Sequence, residues 1–140
     1  VKIYLSGSAL EIPRVKYNKQ RLEAIPGITI VSTWIESVEK VGQSNPRDAS
    51  REERAGYAQT DLDEAASANL IWLFAPTTPT RGAWVELGFG FARDVPFISS
   101  GDTKQSIFTA LGEEFETDEA AFEFIKVKHE LATRRFSDGA

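Results

Sequence analysis

The sequence predicts an α/β fold: a doubly wound, mainly parallel sheet of four to five strands flanked by helices, a Rossmann- or flavodoxin-like three-layer sandwich. Three observations predict it. Strand-like and helix-like segments alternate along the chain, the order that builds parallel sheets through helical crossovers. Asn69 to Ala75 is a continuous apolar run with no polar alternation, as expected for a central strand covered on both faces. The length, 140 residues, supports one sizeable core and is short for two, so residues 1–140 are read as a single domain.

Each element has its own signal. Lys2 to Leu5 is short and rich in β-formers, and it runs into the small-residue turn Ser6-Gly7-Ser8. A helical stretch follows with Ile12, Val15, Leu22 and Ile25 at helical spacing. Pro13 is expected to delay its start, and Pro26-Gly27 ends it. Ile28 to Trp34 is dominated by β-branched residues and reads as a second strand. Gly42 to Ser50 is a polar loop, and Arg51 to Ala68 is helical. After the apolar strand come a loop, Pro76 to Gly82, a helix, Ala83 to Arg93, and a fourth strand, Val95 to Ser99. Lys104 to Leu111 reads as a helix or a short strand pair. Asp118 to Arg134 is a final helix with Phe124, Val127 and Leu131 on one stripe, acidic at its start and basic at its end, which suits the helix dipole. Ser137 to Ala140 is a frayed end.

In a sheet of this kind ligands bind at the carboxyl ends of the strands. That points to the Ser6 to Ser8 turn, the loop after Trp34, and Pro76 to Gly82.

Composition narrows the chemistry. Sixteen basic and twenty-one acidic residues give a net charge of −5, and no basic stretch is long enough to mark a nucleic-acid polymer as partner. The absence of cysteine removes disulfides, thiolate metal sites and cysteine nucleophiles. A single histidine, His129, argues against a histidine-rich metal site or a Ser–His triad, and on its charged helix it is read as solvated. No cofactor and no metal are expected, so chemistry rests on carboxylates, hydroxyls, tyrosine and arginine. No apolar run approaches the roughly 20 residues of a membrane span. The first residues enter a strand-like pattern directly, with no secretory signal, and a cytoplasmic location is expected.

Two acids stand out by position. Between Gly82 and Arg93 the only charge is Glu86, on a segment apolar on nearly every side, and such a helix is normally buried. The residues four before and four after Glu86, which share its face, are Gly82 and Gly90. Each glycine costs the helix about 1 kcal/mol; space for a ligand beside the carboxylate would account for them, and so would close packing of a strand. In the preceding helix, Tyr57, Ala58, Asp61, Leu62 and Ala65 form one stripe, with Asp63 and Glu64 toward the other side. Asp61 is therefore the acid that faces inward, if that cluster is not simply solvated.

At these residues the chain resembles the nucleoside 2-deoxyribosyltransferase superfamily, which includes the 2′-deoxynucleoside 5′-monophosphate N-glycosidases. Three pieces match in order: Ile3-Tyr4-Leu5-Ser6-Gly7, Asp61-Leu62, and Gly82 followed by Glu86-Leu87-Gly88. The stretch Trp84 to Ala92, followed by Val95-Pro96, is the most specific part, and the similarity spans about residues 2 to 98. The resemblance implies a mechanism in which Glu86 attacks the anomeric carbon and expels the base. Tyr4 would orient Glu86, and Asp61 would handle the proton of the base. Transferase members carry an aspartate six residues before the glutamate; here that position is Thr80. The monophosphate hydrolases tend to have serine there, so the resemblance leans toward a nucleotide and toward hydrolysis. Thr77, Thr78, Thr80 and Arg81 would then hold an anion at a helix N-terminus, unless that loop is simply a solvated turn, with Ser6, Gly7, Ser8 and Gly82 also lining the substrate. The resemblance further implies a homo-oligomer, dimer or higher, in which a neighbouring subunit completes the site.

Aromatic residues have plainer readings. Trp34 is a candidate to stack on a base, and Trp72 and Trp84 are weaker ones. Tyr57 reads as packing. Phe115, Phe122 and Phe124 read as core or an oligomer contact, and the acidic run Glu113 to Glu123 as a solvated face. Three functional classes remain open on the sequence: an N-glycosidase or deoxyribosyltransferase acting on a nucleoside or its monophosphate, a nucleotide-binding module without turnover, and an NAD-cleaving glycohydrolase.

Overall fold

The computed structural model describes residues 1–41 and 48–138. Five parallel strands form one sheet in the order β2-β1-β3-β4-β5. They are β1 (Lys2–Ser6), β2 (Thr29–Ile30), β3 (Leu70–Phe74), β4 (Phe97–Ser100) and β5 (Glu113–Phe115). The helices are α1 (Ile12–Glu23), α2 (Trp34–Val41), α3 (Arg51–Ser67), α4 (Gly82–Ala92) and α5 (Asp118–Asp138). The expected α/β sandwich is therefore the observed fold, and the apolar run takes the central strand β3.

Side chains alternate across the sheet and divide the core in two. Ile3, Leu5, Trp72, Phe74 and Ile98 pack with Val15 and Leu22 of α1 and with Ala121, Phe122 and Ile125 of α5. Tyr4, Ile71, Leu73 and Phe97 pack with Ala65 of α3 and with Ala83 and Leu87 of α4. The sheet order turns back between β1 and β3, which pair from Ile3 with Leu70 to Ser6 with Leu73. Their carboxyl ends are the switch point where a crevice opens in this topology.

Several expectations need correction. The second strand is only Thr29–Ile30, and Trp34 begins helix α2 instead of ending a strand. Val31 still bonds to Ile3, but Leu5 N–H then donates to the Ser32 hydroxyl, so a side chain replaces the ladder. Thr33 turns the chain into the helix, its carbonyl accepting from Ser37 N–H. Pro13 sits in the first turn of α1 and delays nothing, since its missing N–H would have had no helical partner there. Lys104 to Leu111 becomes two short 3₁₀ turns, Thr103–Gln105 and Phe108–Leu111. The acidic run Glu113 to Glu123 is largely solvated as expected, with Glu113, Glu114, Glu116, Glu119 and Glu123 exposed, but it also contains the edge strand β5.

In α5 the buried face is Ala121, Phe122 and Ile125, whereas Val127 and Leu131 are exposed. His129 is not merely solvated, because its Nε2 bonds to the Pro26 carbonyl at 2.8 Å and ties α5 to the α1–β2 turn. Ser137 and Asp138 belong to α5; the rest of the expected frayed end, residues 139–140, lies outside the described residues, as does the 42–47 part of the expected loop. Ser50 caps α3, its hydroxyl accepting from Glu53 N–H at 3.0 Å.

Candidate active site

The site is built where β1, α3 and α4 meet. Tyr4 and Ser6 are two residues apart on β1, so both face α3 and α4 at its carboxyl end. Ala83 and Leu87 hold the buried face of α4 against the sheet and bring Glu86, 9% exposed, over those two residues. Tyr4 Oη donates to Glu86 Oε2 at 2.8 Å, and Ser6 Oγ donates to Oε1 at 2.9 Å. Ser6 also lies 3.2 Å from the Ala83 carbonyl, which fixes the hydroxyl against the first turn of the helix. Both carboxylate oxygens are thus held by neutral donors, and among the described residues no cation pairs with Glu86.

This environment works against the charge on Glu86. Burial raises its pKa to about 7; Tyr4 and Ser6 pull in the opposite direction by donating to the ionised form, while the charges of Asp61 and Glu64 push further up. Asp61 is raised to about 6, first by burial and then by Glu64. Burial, followed by the neighbouring carboxylates, also raises the Tyr4 phenol, so it remains a hydrogen-bond donor. Two carboxyl groups close to neutrality, coupled across one crevice, can divide the roles of nucleophile and proton carrier.

Asp61 also lies on the wall of a cavity of about 570 Å³ between α2 and α3, a volume suited to a small molecule. Thr33, Trp34, Ser37 and Val38 form one side; Arg54, Tyr57, Ala58 and Thr60 form the other with Asp61. Trp34 is fixed by donating its Nε1–H to the Leu5 carbonyl at 2.8 Å. Tyr57 is not internal packing, since half of it is exposed along this wall.

The two glycines beside Glu86 separate. A Cβ on Gly90 would collide with the Ile71 side chain, so this glycine lets α4 approach β3 closely. A Cβ on Gly82 would meet nothing within 4 Å, which leaves open space on the face that carries the carboxylate. Gly7 resembles Gly90, for a Cβ there would press on Val15 at 3.2 Å.

The loop before α4 is only partly available. Both the N–H and the hydroxyl of Thr77 go to Glu11, and Thr78 pairs with Ser8 at 3.3 Å. Thr80 and Arg81 have no side-chain bond among the described residues, and Arg81 stands at the amino end of α4 without capping it. The structure therefore brings Tyr4, Ser6, Glu86 and Asp61 together and puts Trp34 beside Asp61. Thr80 and Arg81 stand at the amino end of α4, which begins with Gly82 on the face that carries Glu86.

Sequence reasoning missed Thr33, Ser37, Arg54 and Thr60 of the cavity wall, and it turned Glu64 away from Asp61. Glu64 instead accepts from Thr33 and acts on Asp61. A signal for the α2 wall was present: Thr33 followed by Glu36 has capping-box spacing, and Trp34, Ile35, Val38 and Val41 recur at helical intervals.

No protein-family model matches the sequence, and no curated protein matches it significantly. The fold is shared with solved structures. A conserved protein from Enterococcus faecalis V583 is 15% identical with a TM-score of 0.64, covering 91% of this chain and 98% of its own. A 2-deoxyribosyltransferase from Bacillus psychrosaccharolyticus is 17% identical with a TM-score of 0.63, covering 87% of this chain and 90% of its own. The chain thus has the fold that its resemblance to the deoxyribosyltransferases implies.

Proposed function

We propose that the protein is an N-glycosidase that cleaves the bond between base and sugar in a deoxynucleoside or its 5′-monophosphate, through a covalent ester on Glu86. The observation that carries this reading is the Glu86 carboxylate, buried at the switch point, gripped by Tyr4 and Ser6 and, among the described residues, paired with no cation. The likeness in fold to a 2-deoxyribosyltransferase supports it.

A carboxylate oxygen of Glu86 attacks the anomeric carbon as the bond to the base nitrogen breaks. The electron pair of that bond leaves with the base, and Asp61 supplies the proton that neutralises it. Positive charge building on the sugar is offset by the carboxylate already in place. Asp61, now ionised, takes a proton from water as the water attacks the same carbon. The ester breaks, Glu86 leaves as carboxylate, and the free sugar is released. An acceptor base in place of water gives transfer.

Trp34 and Tyr57 offer aromatic surfaces for the base beside Asp61. A 5′-phosphate is assigned to Thr80, Arg81 and the uncapped amino end of α4, where the first turn carries no acidic residue. A second copy of the chain is proposed to cover the outer face of α4, where Val85 is 59% and Phe91 50% exposed.

The test is incubation with deoxynucleosides and deoxynucleoside monophosphates, with and without an acceptor base. Base release is expected from the wild type and loss of at least about a thousandfold in Glu86→Ala, the scale of removing a nucleophile that acts with its neighbours as a unit. Equal release by the variant would refute the assignment.

A further inference from the structure

We propose that Glu64 is a positioning residue of this site, fastening the amino end of α2 against α3 and holding a fixed carboxylate one turn from Asp61. The inference rests on the N-glycosidase reading for its chemistry and on the following geometry for its structure.

Glu64 Oε1 accepts from Thr33 N–H at 3.0 Å, and its Oε2 accepts from Thr33 Oγ1 at 2.8 Å. Thr33 is the residue before α2, so the carboxylate takes an N–H from the helix entry that has no partner within the helix, at the dipole's positive end. The next residue, Trp34, is locked to the carboxyl end of β1 through Leu5. Thr33, Trp34 and Ser37 then form the wall that faces Asp61. One carboxylate thereby joins the two helices whose separation defines the cavity.

The same carboxylate lies three residues after Asp61 on α3, a spacing at which side chains are neighbours and like charges repel. The ionisable groups around Asp61 are Glu64 on its own helix, which acts on it, Tyr4 of β1 and Glu86 of α4, on which Asp61 acts in turn, and Arg54, which shares the cavity wall. Among the described residues, Thr33 and the α2 side chains Trp34, Ser37 and Val38 on that wall are all uncharged. After burial, the charge of Glu64 raises Asp61. An Asp61 that keeps its proton closer to neutrality is a better donor to a departing base. Because Glu64 is anchored by Thr33, its charge is fixed at that point instead of swinging into solvent.

Two variants separate the roles. Glu64→Gln retains an amide oxygen to accept from Thr33 and removes the charge; Glu64→Ala removes both. The Asp61 carboxyl is titrated in the ligand-free protein by carbon NMR, and exchange of the Thr33 amide is followed in parallel. In Glu64→Gln the Asp61 midpoint is expected to fall from about 6 toward the ordinary carboxylate range, with Thr33 protection and KM for the nucleotide kept. In Glu64→Ala, Thr33 protection is expected to drop and KM to rise. An unchanged Asp61 midpoint in Glu64→Gln, or unchanged Thr33 protection in Glu64→Ala, overturns the proposal. These two readouts need no turnover, so a protein that releases no base removes the N-glycosidase reading while the titration still decides the role of Glu64.

Discussion

At the residue scale, Glu86 is a strained choice for stability and a suitable one for chemistry. Its carboxyl is held at about 7, against 4.5 for an unperturbed glutamate, so the folded chain binds this proton more tightly than the unfolded chain does. The sign follows by linkage: the contribution to stability is complete below pH 4.5 and is lost as pH rises through about 7. At pH 8 the folded state carries a desolvated charge that the unfolded state hydrates freely. Glu86→Gln, which can keep the contacts to Tyr4 and Ser6, should therefore be more stable than the wild type at pH 8, by about 3 kcal/mol. The difference should vanish near pH 4. Urea unfolding at the two pH values measures it, and a variant less stable at pH 8 would show that Tyr4 and Ser6 outweigh burial. The arrangement is one in which folding free energy is given up where a reactive group is needed.

At the element scale, α4 shows what sequence can and cannot reveal. Its lone charge on an apolar segment marks out Glu86, but composition alone overstates the burial of the helix, since one face is covered while Val85 and Phe91 stand exposed on the other. The meaning of its glycines was not legible: Gly90 answers to Ile71 on another element, while Gly82 faces open space. Gly82→Ala tests that space. The variant should fold with unchanged or slightly higher melting temperature, since alanine favours the helix, and should show a raised KM for the nucleotide. An unchanged KM would place the ligand elsewhere.

Helix α2 escaped because the β-branched run before it extends smoothly into Trp34, and the side-chain bond from Ser32 that ends the strand depends on β1. Strand β5 escaped for another reason. It has three residues, two of them glutamates, a composition that suits an edge strand but carries no alternating signal. The Thr33–Glu64 clamp joins residues 31 apart, a pairing that periodicity within either segment cannot supply.

At the scale of the whole molecule, parallel order puts every crossover on one face or the other, and the turn back between β1 and β3 leaves one crevice at their carboxyl ends. The opposite face is tied there by Arg14, which bonds to Asp118 at 2.7 Å and to the Ala75 carbonyl at 2.8 Å. The outward side of α4 has no such cover. If a second copy covers it, sedimentation should find a dimer, and Val85→Asp should yield a folded monomer with impaired base release; a wild-type monomer would remove that part of the account. The central claim, that Glu86 is esterified by the sugar, is tested on the intact chain. Rapid acid quench during turnover of a deoxynucleoside monophosphate, followed by whole-protein mass spectrometry and peptide mapping, should reveal one deoxyribosyl phosphate adduct on Glu86, absent from Glu86→Gln. Base release by a wild-type chain that never gains this mass, or gains it on another residue, would contradict the account.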